Sequence, residues 1–248
     1  MAAVSDMSLR QHVIHGWNQL AMKFAFAAPA IPTLPIKGSE LRFPVHRIYC
    51  VGRNYADHAR EMGHDPTKEP PFFFQKNPDN LSTDGEFPYP PLSNDVQFEI
   101  ELVVALKSGG SDIRPEDALG HVFGYAIGLD MTRRDLQGAA KKLGRPWEVG
   151  KAFEKSAPCS AIVRAEEIGH PVSGAIWLNV NGARKQTGDL SQFIWDIPHQ
   201  IAILSTLFLL APGDLIMTGT PAGVGPVGKG DRLLGHVEGL GKLDVLVV

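Results

Sequence analysis

The sequence contains only two cysteines in 248 residues, Cys50 and Cys159, and they stand far apart. Neither belongs to a CxxC pair or to the cysteine and histidine spacing of a zinc site, so a disulfide scaffold and a structural zinc site are both excluded. A free cysteine in a reducing compartment usually behaves as a small hydrophobic residue. We therefore expect a cytoplasmic protein in which both thiols are buried.

The chain also lacks a basic excess and a long apolar run. It has 24 Lys and Arg against 27 Asp and Glu, whereas nucleic-acid-binding domains carry a positive excess. Its longest apolar run, residues 201–211, falls well short of the roughly 20 residues that span a bilayer. We therefore expect neither nucleic acid nor a membrane as a partner. With 44% hydrophobic residues, the composition is that of one globular domain.

Hydrophobic patterning predicts a β-rich fold. Residues 1–45 have no strong periodicity, so we expect an N-terminal extension with a small extended segment there. We expect residues 46–248 to form the main domain. Apolar and β-branched runs predict strands at 48–51, 95–105, 122–129, 176–180, 183–186, 214–217, 231–234 and 243–247, with a mostly extended connection over 64–95. Residues 54–63 and 198–209 predict helices, and Asn181-Gly182 predicts a type I′ hairpin turn. Because strands outnumber helices and many connections are short, the fold class is α+β rather than a doubly wound parallel sheet.

Three acidic residues form a candidate metal site. Glu99 and Glu101 stand two apart in a predicted strand, so both carboxylates project from one face while Ile100 and Leu102 enter the core. Like charges this close raise the pKa of one carboxyl unless a cation compensates, and a hard divalent ion can do so. Asp130 ends another apolar strand and can offer a third oxygen. Oxygen ligands favour Mg²⁺ or Mn²⁺ over zinc, but acids on a solvated strand face remain an alternative.

A histidine and a glutamate form a candidate general base. His58 and Glu61 are three residues apart in the predicted helix 54–63, so their side chains are neighbours. The glutamate can orient the histidine, which can then take a proton from water near neutral pH. His64 lies six residues after His58 and therefore on another face, which excludes a zinc-protease helix. Taken alone, His58 and Glu61 have an alternative interpretation, as an exposed pair of side chains on the helix surface without a catalytic role.

Further along the chain, polar residues and a glycine-rich loop offer donors for an anionic ligand. The loop Thr218–Gly225 lacks the Gly-Lys-Ser/Thr ending of a P-loop, and no helical pattern follows it, so nucleotide binding is not expected. Its amides and the Thr220 hydroxyl can still face an anion. Arg134, Gln137 and Lys151 can meet a carboxylate or a developing oxyanion, although each alone could equally be a surface side chain.

The order of these motifs is more specific than any one of them. The motifs are Val51-Gly-Arg-Asn-Tyr-Ala-Asp-His58, Phe98-Glu-Ile-Glu-Leu102, Gly128-Leu-Asp-Met-Thr-Arg-Arg-Asp-Leu-Gln137, Lys151 and Thr218-Gly-Thr-Pro-Ala-Gly-Val-Gly225. Together they resemble the fumarylacetoacetate hydrolase family over about residues 46–248. The resemblance implies a mixed β roll or sandwich with a short lid helix and few peripheral helices, assembled as a homodimer. It makes residues 46–248 the catalytic domain.

The resemblance also implies roles for individual residues. Glu99, Glu101 and Asp130 would hold Mg²⁺ or Mn²⁺, and the ion would bind a 2,4-dioxo acid. His58, oriented by Glu61, would activate water for attack on the distal carbonyl. The remaining implied roles are oxyanion stabilisation by Lys151 and Gln137, and contact with the substrate by Arg134, Thr220, Lys76 and Arg53.

Within the family, the segments Arg47-Ile-Tyr-Cys-Val-Gly-Arg-Asn-Tyr55 and Glu69-Pro-Pro-Phe-Phe-Phe74 are most similar to those of bacterial acylpyruvate hydrolases of the gentisate route of aromatic catabolism. Fumarylpyruvate or maleylpyruvate, giving pyruvate and a four-carbon diacid, is therefore the expected substrate. An oxaloacetate decarboxylase or an isomerase and decarboxylase of ring-cleavage diacids is the alternative, because such enzymes share the metal residues. A metal-binding structural protein without turnover is a third reading, which the joint presence of base, ligands and oxyanion donors disfavours.

Overall fold

The computed structural model of the protein describes residues 24–63 and 70–248. The chain divides into two units, Met1–Ala30 and Ile31–Val248. Of the first unit, the described residues 24–30 are exposed and form neither helix nor strand. The rest of the predicted extension up to residue 23, and the predicted extended connection over 64–69, lie outside the described residues. The domain boundary at residue 46 stays a prediction.

The second unit is built from many short strands and few helices. The strands are β1 (Thr33–Pro35), β2 (Arg42–Pro44), β3 (Ile48–Val51), β4 (Phe73–Lys76), β5 (Leu81–Ser82), β6 (Glu86–Phe87), β7 (Val96–Phe98), β8 (Ile100–Leu106), β9 (Val122–Leu129), β10 (Thr132–Arg133), β11 (Ala157–Pro158), β12 (Val163–Arg164), β13 (Ala175–Val180), β14 (Ala183–Asp189), β15 (Leu215–Met217), β16 (Gly225–Pro226), β17 (Arg232–Val237) and β18 (Gly241–Val247). The α-helices are α1 (Ala56–Glu61), α2 (Pro115–Ala118), α3 (Arg134–Lys142), α4 (Glu148–Lys151), α5 (Ala165–Ile168) and α6 (Ile197–Leu207). Single 3₁₀ turns occupy Pro78–Asn80, Leu119–His121 and Leu190–Gln192. The predicted β-rich α+β class is confirmed.

Two large mixed sheets organise these strands. One has the order β12-β9-β8-β15-β3-β4, with β15 parallel to β3 and antiparallel to β8. The other has the order β14-β13-β17-β18-β6. Side chains of both sheets pack in one hydrophobic core, to which Leu102 of β8, Leu178 of β13 and Leu233 of β17 contribute. Full burial of each such side chain contributes about 1.5–3 kcal/mol, so this core can hold the sheets together without an ion.

The central strand β8 is buried on both faces, which sets the direction of its acidic side chains. Ile100 and Leu102 belong to the core between the sheets, whereas Val103 and Ala105 belong to a second core on the opposite face. Side chains alternate along a strand, so Glu101 shares the face of Val103 and Ala105. The predicted direction of Ile100 and Leu102 is therefore confirmed. The predicted strand 95–105 is interrupted at Glu99, which lies between β7 and β8.

Several local predictions can be compared directly with the structure. The Asn181-Gly182 turn has φ angles of 50° and 82°, as a type I′ hairpin requires, and it joins β13 to β14. Both cysteines are free and buried, as predicted. Helix α1 lies inside its predicted range, whereas α6 begins one residue before the predicted start and ends two residues before the predicted end. Helix α3 was not predicted, although it carries two of the candidate site residues. Over the described residues, no helix is long and apolar enough to cross a membrane.

Candidate metal centre

Strand register brings the three predicted carboxylates together. In the β8–β9 pair, Ile100 faces Leu129 and Glu101 faces Gly128. One step further, the Asp130 amide donates to the Glu99 carbonyl at 2.8 Å. One carboxylate oxygen each of Glu99, Glu101 and Asp130 lies within 4.8 Å of the others, and all three residues are buried. The two strands thus present three oxygen ligands to one point.

Three cations surround two of these carboxylates. The Lys151 ammonium donates to Glu99 Oε2 and to Asp130 Oδ2, at 2.7 Å each. Lys76 Nζ lies 2.8 Å from Asp130 Oδ1, and the Arg134 guanidinium donates to Glu99 Oε1. Within residues 24–63 and 70–248, no ion pair reaches Glu101; its Oε2 accepts a hydrogen bond from the Gly219 amide at 2.8 Å. Glu101 is therefore the carboxylate of the three that lacks a cationic partner in this part of the chain.

The charges at the centre fit a divalent cation. Burial raises the pKa of Glu99, but the cations Lys151 and Arg134 outweigh that effect and hold the pKa below its ordinary value. The pKa of Glu101 is raised well above its ordinary value by burial and by the charges of Asp130 and Glu99. A hard cation next to Glu101 would remove this repulsion, and a donor set made only of carboxylate oxygens suits Mg²⁺ or Mn²⁺. The residues present therefore fit the predicted ion.

The candidate base lies on α1. His58 is buried, and its Nδ1 lies 3.2 Å from Glu61 Oε2. Burial lowers the pKa of His58, against the opposing effects of Glu99 and of the hydrogen bond to Glu61. A histidine with a lowered pKa is neutral near pH 7 and has a free nitrogen that can accept a proton. The geometry of a general base is thus present, and its role stays a prediction.

The glycine-rich loop connects the base to the carboxylates. The amide of Gly219 donates to Glu101, and the amide of Gly223 lies 3.2 Å from each carboxylate oxygen of Glu61. Both glycines have a φ of +96°, and a Cβ at Gly219 would lie 2.7 Å from Asn54 Cβ. A side chain at either position is therefore strained. Glycine lets the backbone approach close enough to hold both acids.

Helix α3 presents Arg134 and Gln137 to the centre. Besides Glu99, Arg134 donates to Gln97 Oε1 and to Gln137 Oε1, each at 2.8 Å. The Gln137 side chain is buried, and because its oxygen accepts from Arg134, its nitrogen is the end that can donate to a ligand. Lys151 lies at the end of α4, which packs against α3 where Gly150 approaches Gln137. Lys151 and Gln137, the predicted oxyanion donors, are thus on adjacent helices.

The predicted substrate contacts have different surroundings. Lys76 is fully engaged by protein oxygens, namely those of Asp130, Ser156 and the carbonyls of Met131 and Lys151. Since an ammonium has three protons, these contacts suit a residue that positions Asp130. The Thr220 hydroxyl is buried and accepts from Gln186 Nε2 at 2.8 Å. The Arg53 guanidinium lies 4.9 Å from the ring centre of Phe72. Direct contact of these side chains with the substrate stays a prediction.

The sequence patterns did not reveal two polar residues that organise the site. Asn54 is fully buried; its side chain donates to the carbonyls of Trp195 and Thr218 and accepts from the Trp195 amide at 2.7 Å. It thereby joins the start of α1 to the glycine-rich loop. Gln186 accepts from the Ile100 amide and donates to Thr220. The available signal for Gln186 was its place in the predicted hairpin. An amide side chain that faces inward there is buried and needs hydrogen-bond partners.

The sequence of this chain is similar to a family model and to the sequences of known enzymes. A family model described as fumarylacetoacetate (FAA) hydrolase C-terminal matches residues 47–248. A fumarylpyruvate hydrolase from a Ralstonia species is 44% identical over 184 residues, which cover 74% of this chain and 95% of the relative. A mitochondrial oxaloacetate tautomerase from Mus musculus is 40% identical over 193 residues, which cover 78% of this chain and 87% of the relative.

A solved structure is similar over a still larger share of the chain. It is fumarylpyruvate hydrolase from Pseudomonas aeruginosa, crystallised in complex with Mn²⁺ and pyruvate. The two chains are 52% identical with a TM-score of 0.89, and the match covers 91% of this chain and 99% of the solved one. The predicted β-rich architecture is thus shared with a metal-bound relative.

Proposed function

The chain belongs to the fumarylacetoacetate hydrolase family, and we propose that it is a divalent-metal-dependent hydrolase of acylpyruvates. Fumarylpyruvate or maleylpyruvate is the proposed substrate, and pyruvate with fumarate or maleate are the products. One observation carries the proposal: a single glycine-rich loop holds both Glu101 of the carboxylate cluster and Glu61, the partner of His58. A general base and a cation site are thereby fixed to the same backbone segment.

The carboxylate cluster of Glu99, Glu101 and Asp130 is proposed to hold Mg²⁺ or Mn²⁺. When bound, the ion supplies an electron sink for the enolate of the pyruvate half, which makes the carbon–carbon bond beside it breakable. The P. aeruginosa relative with Mn²⁺ and pyruvate supports this assignment. Lys76 and Lys151 position Asp130 for the same purpose, since their ammonium groups contact its two carboxylate oxygens at 2.8 and 2.7 Å.

His58 is proposed to remove a proton from the attacking water. Glu61 accepts from the imidazole Nδ1–H, so the other ring nitrogen is the acceptor. The hydroxyl then adds to the distal ketone of the acylpyruvate. The bond between that carbon and the neighbouring methylene breaks, and its electron pair goes to the pyruvate enolate, which is protonated to pyruvate. General bases of this kind contribute about 10²- to 10⁴-fold to a rate.

Gln137 and Lys151 are proposed to stabilise the oxyanion that forms on the attacked ketone. The Gln137 nitrogen is available for donation because its oxygen is held by Arg134. Two protons of Lys151 are used by Glu99 and Asp130, so its third proton is the one that can reach a ligand. Arg134, Thr220 and Arg53 keep their proposed role in substrate binding, whereas Lys76, whose ammonium is engaged by protein oxygens, is proposed to position Asp130 instead. The proposed assembly is a cytoplasmic homodimer.

A second candidate function is the conversion of oxaloacetate. The Mus musculus relative is an oxaloacetate tautomerase, and tautomerisation also needs a proton-transfer group beside a chelated ketone. Decarboxylation of oxaloacetate, or isomerisation and decarboxylation of a ring-cleavage diacid, needs the same electron sink but no attacking water. The buried His58–Glu61 pair favours hydrolysis over decarboxylation, because decarboxylation needs no base to activate water.

Product analysis separates these candidates. Purified protein with Mn²⁺ is incubated in turn with fumarylpyruvate, maleylpyruvate and oxaloacetate. The products are identified by liquid chromatography with mass spectrometry, and the enol of oxaloacetate, which has the mass of the keto form, is followed by its ultraviolet absorbance. Hydrolysis gives equal amounts of pyruvate and a four-carbon diacid. If carbon dioxide or the enol of oxaloacetate forms while both acylpyruvates remain intact, the hydrolase proposal is wrong and the second candidate stands.

A further inference from the structure

One face of α3 leads from the carboxylate cluster to a further cation. Arg134, Gln137 and Lys141 are separated by three and four residues, so their side chains share one side of the helix. Arg134 donates to Glu99, and Gln137 is buried beside it. Lys141 stands one turn further along this face and is half-buried. The next residue, Lys142, points in another direction and is exposed.

Lys141 lies against a group of three aromatic rings, which we name the aromatic wall: Phe72, Phe74 and Trp147. Its ammonium is 4.8 Å from the ring centre of Trp147. Trp147 in turn contacts Phe72 and Phe74, with ring centres 5.3 and 5.6 Å apart. The wall thus supports the lysine by a cation–π contact and connects it to the segment that contains β4.

The same wall reaches the carboxylate cluster. The Lys151 ammonium, which donates to Glu99 and Asp130, lies 5.1 Å from the ring centre of Phe74. The Arg53 guanidinium lies 4.9 Å from Phe72. The aromatic wall thus contacts Lys151 at the cluster through Phe74, and the cations Arg53 and Lys141 through Phe72 and Trp147.

The charges around Lys141 are those of a site for an anion. Within the described chain, no carboxylate forms an ion pair with Lys141. Its pKa is lowered to about 8 by burial and by the neighbouring cations Arg134 and Arg53, while Glu99 acts in the opposite direction and Lys151 in the same one. Lys141 is thus a half-buried cation beside an apolar wall, and an anionic ligand next to it would stabilise its charged form.

We propose that Lys141, together with the aromatic wall, binds the distal carboxylate of the substrate and so selects acylpyruvates whose acyl half is a diacid. The proposal rests on the proposed function, because it takes the pyruvate half to be bound at the carboxylate cluster. A fumaryl or maleyl group is planar and conjugated, and it ends in a carboxylate. Such a group can pack against the flat aromatic rings and place its carboxylate next to Lys141. The acetyl group of acetylpyruvate has no carboxylate that could pair with this cation.

The first test compares two substrates in four proteins. The kinetic constants for fumarylpyruvate and for acetylpyruvate, which lacks the distal carboxylate, are measured for wild type, Lys141→Gln, Lys141→Arg and Lys142→Gln. For Lys141→Gln, we expect the ratio of kcat/KM between the two substrates to fall by about 10-fold or more, mainly through KM, as the loss of one charged hydrogen bond implies. Lys141→Arg should restore most of the ratio, and the exposed control Lys142→Gln should keep it. An unchanged ratio in Lys141→Gln overturns the proposal.

The second test does not depend on turnover. Protein saturated with Mn²⁺ and oxalate, which mimics the pyruvate half, is titrated with fumarate by calorimetry. We expect fumarate to bind wild type and Lys142→Gln alike, and Lys141→Gln about 10-fold more weakly. Equal fumarate affinity in Lys141→Gln contradicts the assignment of Lys141, even if the hydrolase proposal holds. If acylpyruvates are not hydrolysed but fumarate binding depends on Lys141, the anion site stands and only the reaction is wrong.

Discussion

The amide of Asp130 donates to the carbonyl of Glu99 at 2.8 Å, and one ammonium group, that of Lys151, bridges the two carboxylates. The backbone contact extends the β8–β9 ladder by one residue and so fixes the distance between the two side chains. Two acids from distant parts of the sequence are thereby held at one point by strand register. The same register places Glu101 beside them. Within the described chain, no cation pairs with the Glu101 carboxyl group.

Glu101→Gln should weaken the binding of Mn²⁺ by at least about 10-fold, because it removes one of three charged ligands. Isothermal calorimetry measures this affinity. Without metal, the variant should unfold at the same or a higher temperature than wild type, since the substitution removes the repulsion from Glu99 and Asp130 while the amide oxygen can still accept from Gly219. The exposed control Glu40→Gln should change neither quantity. Undiminished Mn²⁺ affinity in Glu101→Gln would remove this residue from the metal site.

His58→Ala should lower kcat for acylpyruvate hydrolysis by about 100-fold or more, because that is the usual contribution of a general base. Its affinity for Mn²⁺ should stay close to that of wild type, since His58 is not one of the three carboxylate ligands. His199→Ala is a matched control: His199 is exposed and also contacts an acidic residue three positions away on a helix, Asp196. Unchanged turnover in His58→Ala would exclude His58 from the reaction.

The pH dependence of kcat/KM should show a rise with a midpoint below 6.5. Burial lowers the pKa of His58, and a general base acts only in its neutral form. Activity is therefore lost as pH falls through the lowered pKa and reaches its plateau at higher pH, where His58 is neutral. The profile is measured between about pH 5 and 8 at saturating Mn²⁺. A midpoint above 6.5 would show that a different group or a different protonation state limits the reaction.

The two thiols should not react with a disulfide reagent in the native protein. Both are buried, and burial raises the pKa of Cys159 to about 12 and that of Cys50 well above its ordinary value. Because the thiolate is the reactive form, the native chain should show almost no reaction at pH 8, and two thiols should react after denaturation. Fast labelling of the folded protein at either position would contradict the burial of that thiol.

The sequence predicted those parts of the site that depend on local periodicity. Glu99 and Glu101 could be assigned to one face because side chains alternate along a strand, and His58 could be paired with Glu61 because a helix turns in 3.6 residues. Asp130 could be proposed as a ligand, but its position opposite Glu99 depends on the β8–β9 register, which no local pattern specifies.

The sequence patterns could not predict contacts between residues that are far apart in the sequence. The bridging of Glu99 and Asp130 by Lys151, and the complete engagement of Lys76 by protein oxygens, join residues between 21 and 80 positions apart. Helix α3 was missed because its apolar stripe is small: it consists of Leu136, Ala139 and Ala140 within a short segment rich in charged residues. The basic residues in its last turn and Gly144 after it were the available signals. As a result, Lys141 was not recognised as a neighbour of the site.

The measurement that most directly tests hydrolysis by an activated water is the transfer of isotope from labelled water. The protein with Mn²⁺ is incubated with fumarylpyruvate in H₂¹⁸O, and the fumarate that forms is analysed at short times by mass spectrometry. The account predicts fumarate that carries ¹⁸O in its newly formed carboxylate, at a rate that matches the appearance of pyruvate. If fumarylpyruvate persists and no labelled fumarate forms, while the same preparation converts oxaloacetate, the proposed reaction is contradicted.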